Sequence, residues 1–308
     1  MQELKSILDM SKNDKSPGLD GIPVEVYRSL FDGLGEDLLR NVEDSWKYGK
    51  IPVVFNTTFI AMIPKVDHPN SFEELSPISL CNYIYKVIGK IISIHIIKVL
   101  GHYISGEQFG FLPGRQIHDV VGVLQEGLHS IHSRALKSVV LKIDLSKAYD
   151  RVSWTYLRVV LSKMGFAGSF ISWVMSSLSS ISFALLINGA ASPFFKFGRG
   201  LRQGCPLAPL LFLIVVEGLS RALLYVRECG IYHGLSFGSE VTLSHVLFVD
   251  DIVMVTDGSE QSLSSLFEVL MIFCKASGMK INEDKSALYV SNLDESEVII
   301  YKIFLPLL

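Results

Sequence analysis

Apolar and polar positions are most regularly patterned in the back two-thirds of the chain. Residues 138–145 (SVVLKIDL) form a β-branched apolar run that predicts a buried strand. Residues 154–164 and 170–178 carry helical patterning. Residues 181–187 predict a strand entering an Asn188-Gly189 turn, with 194–197 as its hairpin partner. A long helix is expected over 206–227, with proline near its first turn. Two apolar arms, 243–249 and 252–256, predict strands joined at Asp250-Asp251, followed by a helix over 263–276 and a last strand over 280–290. The first third is less regular. Residues 15–23 (KSPGLDGIP) are loop chemistry, 24 to about 47 is helical, 59–65 is a strand stopped by Pro64, and 84 to about 103 is a long helix. Strands interleaved with helices predict an α+β layer domain, with a boundary between front and back near 110–119.

Composition narrows the class. Hydrophobic residues make up 49% of the 308 and charged residues 19%, which supplies a sizeable core and excludes a disordered chain. The net charge is −3, so no global basic field announces a nucleic-acid partner. Cys81, Cys205, Cys229 and Cys274 lie far apart without a CxxC pair, which fits a reducing compartment. Mean hydropathy is +0.38, yet the apolar run 206–216 (PLAPLLFLIVV) is shorter than the roughly 20 residues a bilayer needs. Residues 81–101 carry Lys86, Lys90 and Lys98 at near-helical spacing, the mark of a wet stripe. The N-terminus lacks the basic-then-apolar order of a signal peptide. The expectation is a soluble intracellular protein without a membrane partner, in the cytoplasm or the nucleus.

Three acids stand out as candidate chemistry. Asp144 closes a nearly all-apolar strand, and Asp250-Asp251 sit between the apolar arms HVLFV and IVMVT. Carboxylates at the ends of hydrophobic strands are costly unless neutralised, and no lysine or arginine falls between Leu243 and Thr256. A divalent cation is the better neutraliser, because Mg²⁺ favours one or two carboxylates completed by water and substrate phosphate. Side chains alternate along a strand, so the adjacent aspartates are not equivalent. An Asp-Asp dipeptide is also an ordinary polar hairpin turn. The histidines form no metal-spaced cluster; His129 and His132 are three apart on a presumed helix.

Seven segments, in order from about residue 13 to 292, resemble the reverse transcriptases of LINE-type (non-LTR) retrotransposons, close to those abundant in plants. They are 15–24 (KSPGLDGIPV), 63–65 (IPK), 76–90 (SPISLCNYIYKVIGK), 108–119 (QFGFLPGRQIHD), 141–154 (LKIDLSKAYDRVSW), 200–212 (GLRQGCPLAPLLF), and the Phe248–Asp251 turn with 277–286 (SGMKINEDKS) behind it. The resemblance implies a polymerase palm, an antiparallel sheet backed by helices, over 119–292. It implies a mainly helical fingers region over 1–118. The implied activity is RNA-directed DNA polymerisation with an RNA template, a DNA primer and dNTPs. In it Asp144 and Asp250, assisted by Asp251, hold two Mg²⁺ ions (Mn²⁺ as an alternative). Tyr149 would sit under the incoming sugar and exclude a 2′-hydroxyl, which also speaks against an RNA-dependent RNA polymerase. Gln203 and Gly204 would line the nucleotide pocket, Lys65 and Lys285 would meet the triphosphate, and Arg115 would meet nucleic-acid backbone. Charge is segregated accordingly: residues 240–297 carry −8 and the rest of the chain +5.

The chain departs from the family pattern in places. Ser76 stands where the family has an arginine, and a serine cannot replace a charged planar fork. Ala208 replaces a serine, Val249 an alanine, and His95 an arginine. The similarity stops near Asn292, and the tail 293–308 shows no primer-grip or thumb segment. The alternative expectation is therefore a catalytically inactive retrotransposon remnant that at most binds nucleic acid.

Overall fold

The computed structural model describes residues 1–237 and 241–293. The expected tail from 294 onward lies outside the described residues. The elements run α1 (Gln2–Met10), α2 (Val24–Ser29), α3 (Phe31–Tyr48), β1 (Thr57–Pro64), β2 (Leu75–Cys81), α4 (Tyr83–Tyr103) and α5 (Ile117–Ser133). There follow β3 (Ser138–Ile143), α6 (Ala148–Arg151), α7 (Trp154–Lys163), α8 (Gly168–Ser179), β4 (Ser182–Ile187), β5 (Ala190–Ala191) and α9 (Ala208–Glu228). The chain closes with β6 (Leu235–Phe237), β7 (Val241–Leu243), β8 (His245–Phe248), β9 (Asp251–Thr256), α10 (Glu260–Ser277) and β10 (Ala287–Ser291). The α+β class expected from the sequence is what the protein adopts.

Two compact units divide the chain, and neither is contiguous. The first comprises Met1–Val99 and Arg158–Leu211; the second comprises Leu100–Leu157 and the described residues from Phe212 onward. The fingers and palm ranges expected from sequence, 1–118 and 119–292, are contiguous stretches, so the units do not coincide with them.

The first unit is built on the sheet β2-β1-β4-β5, in which β1 runs antiparallel to β2 and parallel to β4. Ile60, Ile181 and Phe183 form its buried centre, flanked by Met62 and Leu185. Pro77 argues against a strand interior, but β2 is the edge of the sheet, where a missing N–H is tolerated. The return arm after Asn188-Gly189 starts earlier than expected, at β5, while Phe195 still exchanges both backbone hydrogen bonds with Phe183 (2.8 and 2.9 Å).

The second unit carries the antiparallel sheet β10-β3-β9-β8 and the small hairpin β6-β7. Val120, Ile131, Leu235, Leu243, Val246 and Val255 form a buried cluster joining α5 to the β6-β7 and β8-β9 strands. Gly127 allows that approach, since a Cβ there would stand 2.8 Å from Leu243 Cδ2. Helix α10 is set by its ends: the Ser259 hydroxyl accepts from the Ser262 N–H at 3.3 Å, and Gly278 closes it at φ +81°. Among the described residues one helix, α9, is long and apolar enough to cross a membrane. Its apolar surface is taken up inside the protein, with Phe212 through Val216, Leu219 and Leu223 all at 0% exposure.

Candidate active site

The strand register brings the acids together. Ile143, the last residue of β3, pairs with Ile252 of β9, so Asp144 leaves the sheet at the end where Asp251 begins β9. Phe248 of β8 pairs with Asp251, which makes Val249 and Asp250 the two turn residues. This corrects the expected turn by one position: Asp251 is the first strand residue, and Val249 belongs to the turn despite its β-branched side chain. Asp144 is half-buried, while Asp250 and Asp251 are exposed.

Three carboxylates at one sheet end repel one another. Although Asp250 is exposed as a residue, neighbouring protein atoms partly desolvate its carboxyl, and this, opposed by its own backbone N–H and reinforced by the charges of Asp251 and Asp144, raises it above its ordinary value. Among the described residues no lysine or arginine forms an ion pair with any of the three. No group of three or more His, Cys, Asp or Glu side chains is arranged as a metal cage among those residues either. A pair of hard oxygen donors with unneutralised charge nevertheless suits a cation that takes one or two protein carboxylates and completes its shell elsewhere.

Tyr149 lies beside this cluster. Its ring stacks on Phe212 at 4.7 Å between centroids and 10° between planes. Burial, with a smaller push from the Asp250 charge, raises its hydroxyl to about 12. Lys285 sits exposed in the turn 282–286. That turn is tied to the first acid: the Asn282 N–H donates to the Asp144 carbonyl at 2.9 Å, and the Asp144 N–H donates to Ser286 Oγ at 3.1 Å. Arg115 turns inward, its guanidinium donating to the carbonyls of Ile104, Ser105 and Gln108.

The remaining expected residues belong to the first unit. The Gln203 carbonyl accepts from the Ser79 N–H of β2 at 3.1 Å. Gly204 has φ +91°, and a Cβ on it would stand 3.3 Å from the Ser79 carbonyl, so the backbone there requires glycine. A cavity of about 480 Å³ opens at Gly204 and is lined by Lys12, Lys15, Lys86 and Lys90. Lys65 is exposed and donates to the Glu73 carbonyl at 3.1 Å. Ser76 sits within β2, paired with Ile63.

Two residues escaped the sequence reading. Arg202 is buried at 5% exposure and lies 3.8 Å from the Tyr85 ring centroid. Its guanidinium donates to Asn56 Oδ1, Thr58 Oγ1 (2.8 Å) and the Ser177 carbonyl (3.3 Å). Gln108 is buried at 0% exposure. Each stands in a quoted motif next to residues singled out for charge or glycine content, and nothing in the one-dimensional pattern marks a polar residue as buried.

A family model described as reverse transcriptase (RNA-dependent DNA polymerase) matches residues 63–299. The transposon TX1 uncharacterized 149 kDa protein of Xenopus laevis is 30% identical over 289 residues, covering 93% of this chain and 22% of the relative. The Pol polyprotein of the type-2 retrotransposable element R2DM of Drosophila melanogaster is 26% identical over 88% of this chain and 24% of the relative. The chain thus spans roughly a quarter of the length of these relatives. Among solved structures, apo telomerase of Candida tropicalis superposes with a TM-score of 0.56 at 13% identity, over 87% of this chain and 56% of that one. Telomerase of Candida albicans gives a TM-score of 0.53 at 14% identity, over 87% and 46%. At such identity the likeness concerns the fold, which is that of a polymerase palm.

Proposed function

The chain belongs to the reverse transcriptase (RNA-dependent DNA polymerase) family, and from that premise we propose that it catalyses DNA synthesis on an RNA template as the polymerising domain of a non-LTR retrotransposon. The observation that carries the reading is the convergence of Asp144, Asp250 and Asp251 at one sheet end, unneutralised and beside Tyr149.

Asp144 and Asp250 are the residues that would hold two Mg²⁺ ions, or Mn²⁺ in their place, with Asp251 assisting. When bound, the cations supply Lewis acidity to the attacking and leaving oxygens of nucleotidyl transfer. The protein's own contribution is alignment. Phe212 braces the Tyr149 ring, which limits room at the 2′ position of the sugar. The Tyr149 hydroxyl stays protonated at neutral pH and keeps a donor available there. Lys285, held near the first acid by Asn282 and Ser286, serves the triphosphate. In the first unit, Gln203, Gly204 and Lys65 contribute nucleotide contacts, and the lysine-lined cavity at Gly204 takes phosphate backbone. Arg115 reaches nucleic acid only with N–H groups that its carbonyl partners leave free.

Primer extension with an RNA template, a DNA primer, dNTPs and Mg²⁺ tests the proposal. Extension that falls by about 100-fold or more in Asp250→Asn supports it. Nucleic-acid binding without extension by the unsubstituted chain would identify the inactive remnant, the reading that Ser76 favours.

A further inference from the structure

The turn that presents Asp250 is strained, and a buried side chain holds it. Val249 has φ +60°, a left-handed backbone that β-branched residues adopt only under constraint. The constraint comes from the segment between α4 and α5. Its backbone extends the sheet beyond β8: the Leu247 N–H donates to the Glu107 carbonyl at 2.8 Å, and the Phe109 N–H donates to the Leu247 carbonyl at 2.9 Å. The fully buried Gln108 carboxamide oxygen then accepts two backbone N–H groups, from Gly110 at 2.8 Å and from Val249 at 3.2 Å. Gly110 completes the fit, because a Cβ on it would stand 2.5 Å from Val249 Cγ2 and 2.9 Å from Val249 N.

The segment is itself anchored. Arg115 donates to the Gln108 carbonyl. The buried Glu217 carboxylate of α9 accepts the Ser105 N–H (3.1 Å) and hydroxyl (3.0 Å). An orphaned Nε2 on Gln108 shows that the carboxamide is placed for its oxygen: among the described residues that nitrogen has no partner. An unsatisfied buried donor carries a free-energy cost, which the two hydrogen bonds accepted by the oxygen offset.

We propose that Gln108 is a positioning residue for the acidic turn, holding Val249 in its left-handed backbone so that Asp250 is presented at the sheet end. This rests on the reading of Asp144 and Asp250 as the metal-holding pair.

The test uses the full chain and three readouts: amide hydrogen exchange at Val249 and Asp250, Mn²⁺ affinity against an Asp250→Asn baseline, and the steady-state constants of primer extension. Gln108→Met keeps the length and removes the acceptor. Expected are exchange about 10-fold faster at Val249, and Mn²⁺ affinity and kcat each lowered about 10- to 100-fold with KM for dNTP within about threefold. In a Val249→Gly background the same change should lower Mn²⁺ affinity less than about threefold, since glycine holds a positive φ unaided. Unchanged exchange and Mn²⁺ affinity in Gln108→Met, or an equal loss in both backgrounds, overturns the proposal. Should Gln108→Met fail to fold, Gly110→Ala probes the contact from its other side, with the same losses expected and their absence overturning it. If the unsubstituted chain neither extends a primer nor binds Mn²⁺ beyond the baseline, the metal-site reading fails, and the exchange measurement alone decides whether Gln108 holds the turn.

Discussion

The Asn282 N–H donates to the Asp144 carbonyl at 2.9 Å, so the first acid is held by a turn that lies 138 residues further along the chain. The Asp144 N–H is fixed from the same turn by Ser286 Oγ. Ser286→Ala removes that acceptor, a change of about 1 kcal/mol in local stability. The expected result is a several-fold lower kcat with a thermal midpoint lowered by only about 2–4 °C, read by primer extension and calorimetry. Lys285→Ala on the same turn should instead raise KM for dNTP.

Tyr149 is the residue on which sugar selectivity rests. Tyr149→Ala opens the space over Phe212, and the ratio of ribonucleotide to deoxynucleotide incorporation should rise in competition assays. An unchanged ratio would reduce Tyr149 to a packing partner of Phe212.

Among the described residues Arg202 is a buried cation without a carboxylate partner: its terminal nitrogens donate to neutral oxygens and to Cys81 Sγ, its face meets the Tyr85 ring, and its Nε has no partner. Arg202→Met strands the buried Asn56 Oδ1, whereas the Ser177 carbonyl keeps its donors from Asn56 Nδ2 and the Tyr85 hydroxyl. Destabilisation of about 3 kcal/mol is expected, measured as a lower denaturation midpoint in urea. A loss below about 1 kcal/mol would mean that the site relaxes or admits water.

His245 carries a pH signature. Its ring nitrogens lie 2.7 Å from Ser220 Oγ and 3.0 Å from Ser244 Oγ, and burial, with help from Arg227, lowers its pKa to about 3. Between an unfolded value near 6.5 and that folded value, the unfolded chain binds the extra proton. Stability is therefore whole above about pH 6.5 and falls as pH drops, by up to about 1.4 kcal/mol per unit. Glu217, pushed upward by burial, contributes with the opposite sign. The difference in slope between the unsubstituted protein and His245→Gln isolates the histidine, and equal slopes would refute the assignment.

The sequence disclosed what repeats with a period and what carries charge. The apolar run before Asp144 and the arms around Asp250 specify strands, and the two arms pair as the expected hairpin, although the first arm is divided between β7 and β8. The helix presumed around His129 and His132 is α5; Gly122 and Gly127 lower its propensity, and packing of Gly127 against Leu243 overrides that. One miss has a definite cause. Val249 reads as a strand residue by its branched side chain, whereas pairing of Phe248 with Asp251 forces it into the turn. Gln108 and Arg202 owe their roles to partners such as Val249 and Asn56, more than 100 residues distant, and local pattern carries no information at that range.

The pairing of β3 with β9 has a consequence for synthesis on the ribosome. Ile143 meets Ile252, which lies 109 residues further along the chain. At about 5–20 residues per second, β3 waits roughly 5–20 s after it is translated before its partner exists. During that interval an apolar, β-branched segment has no strand on either side, because β10 is made later still. Non-local pairing of this kind folds slowly and leaves edges open to other chains. Nascent chains that stall before residue 256 should thus be strong clients for chaperones and prone to co-aggregation, whatever the stability of the finished protein.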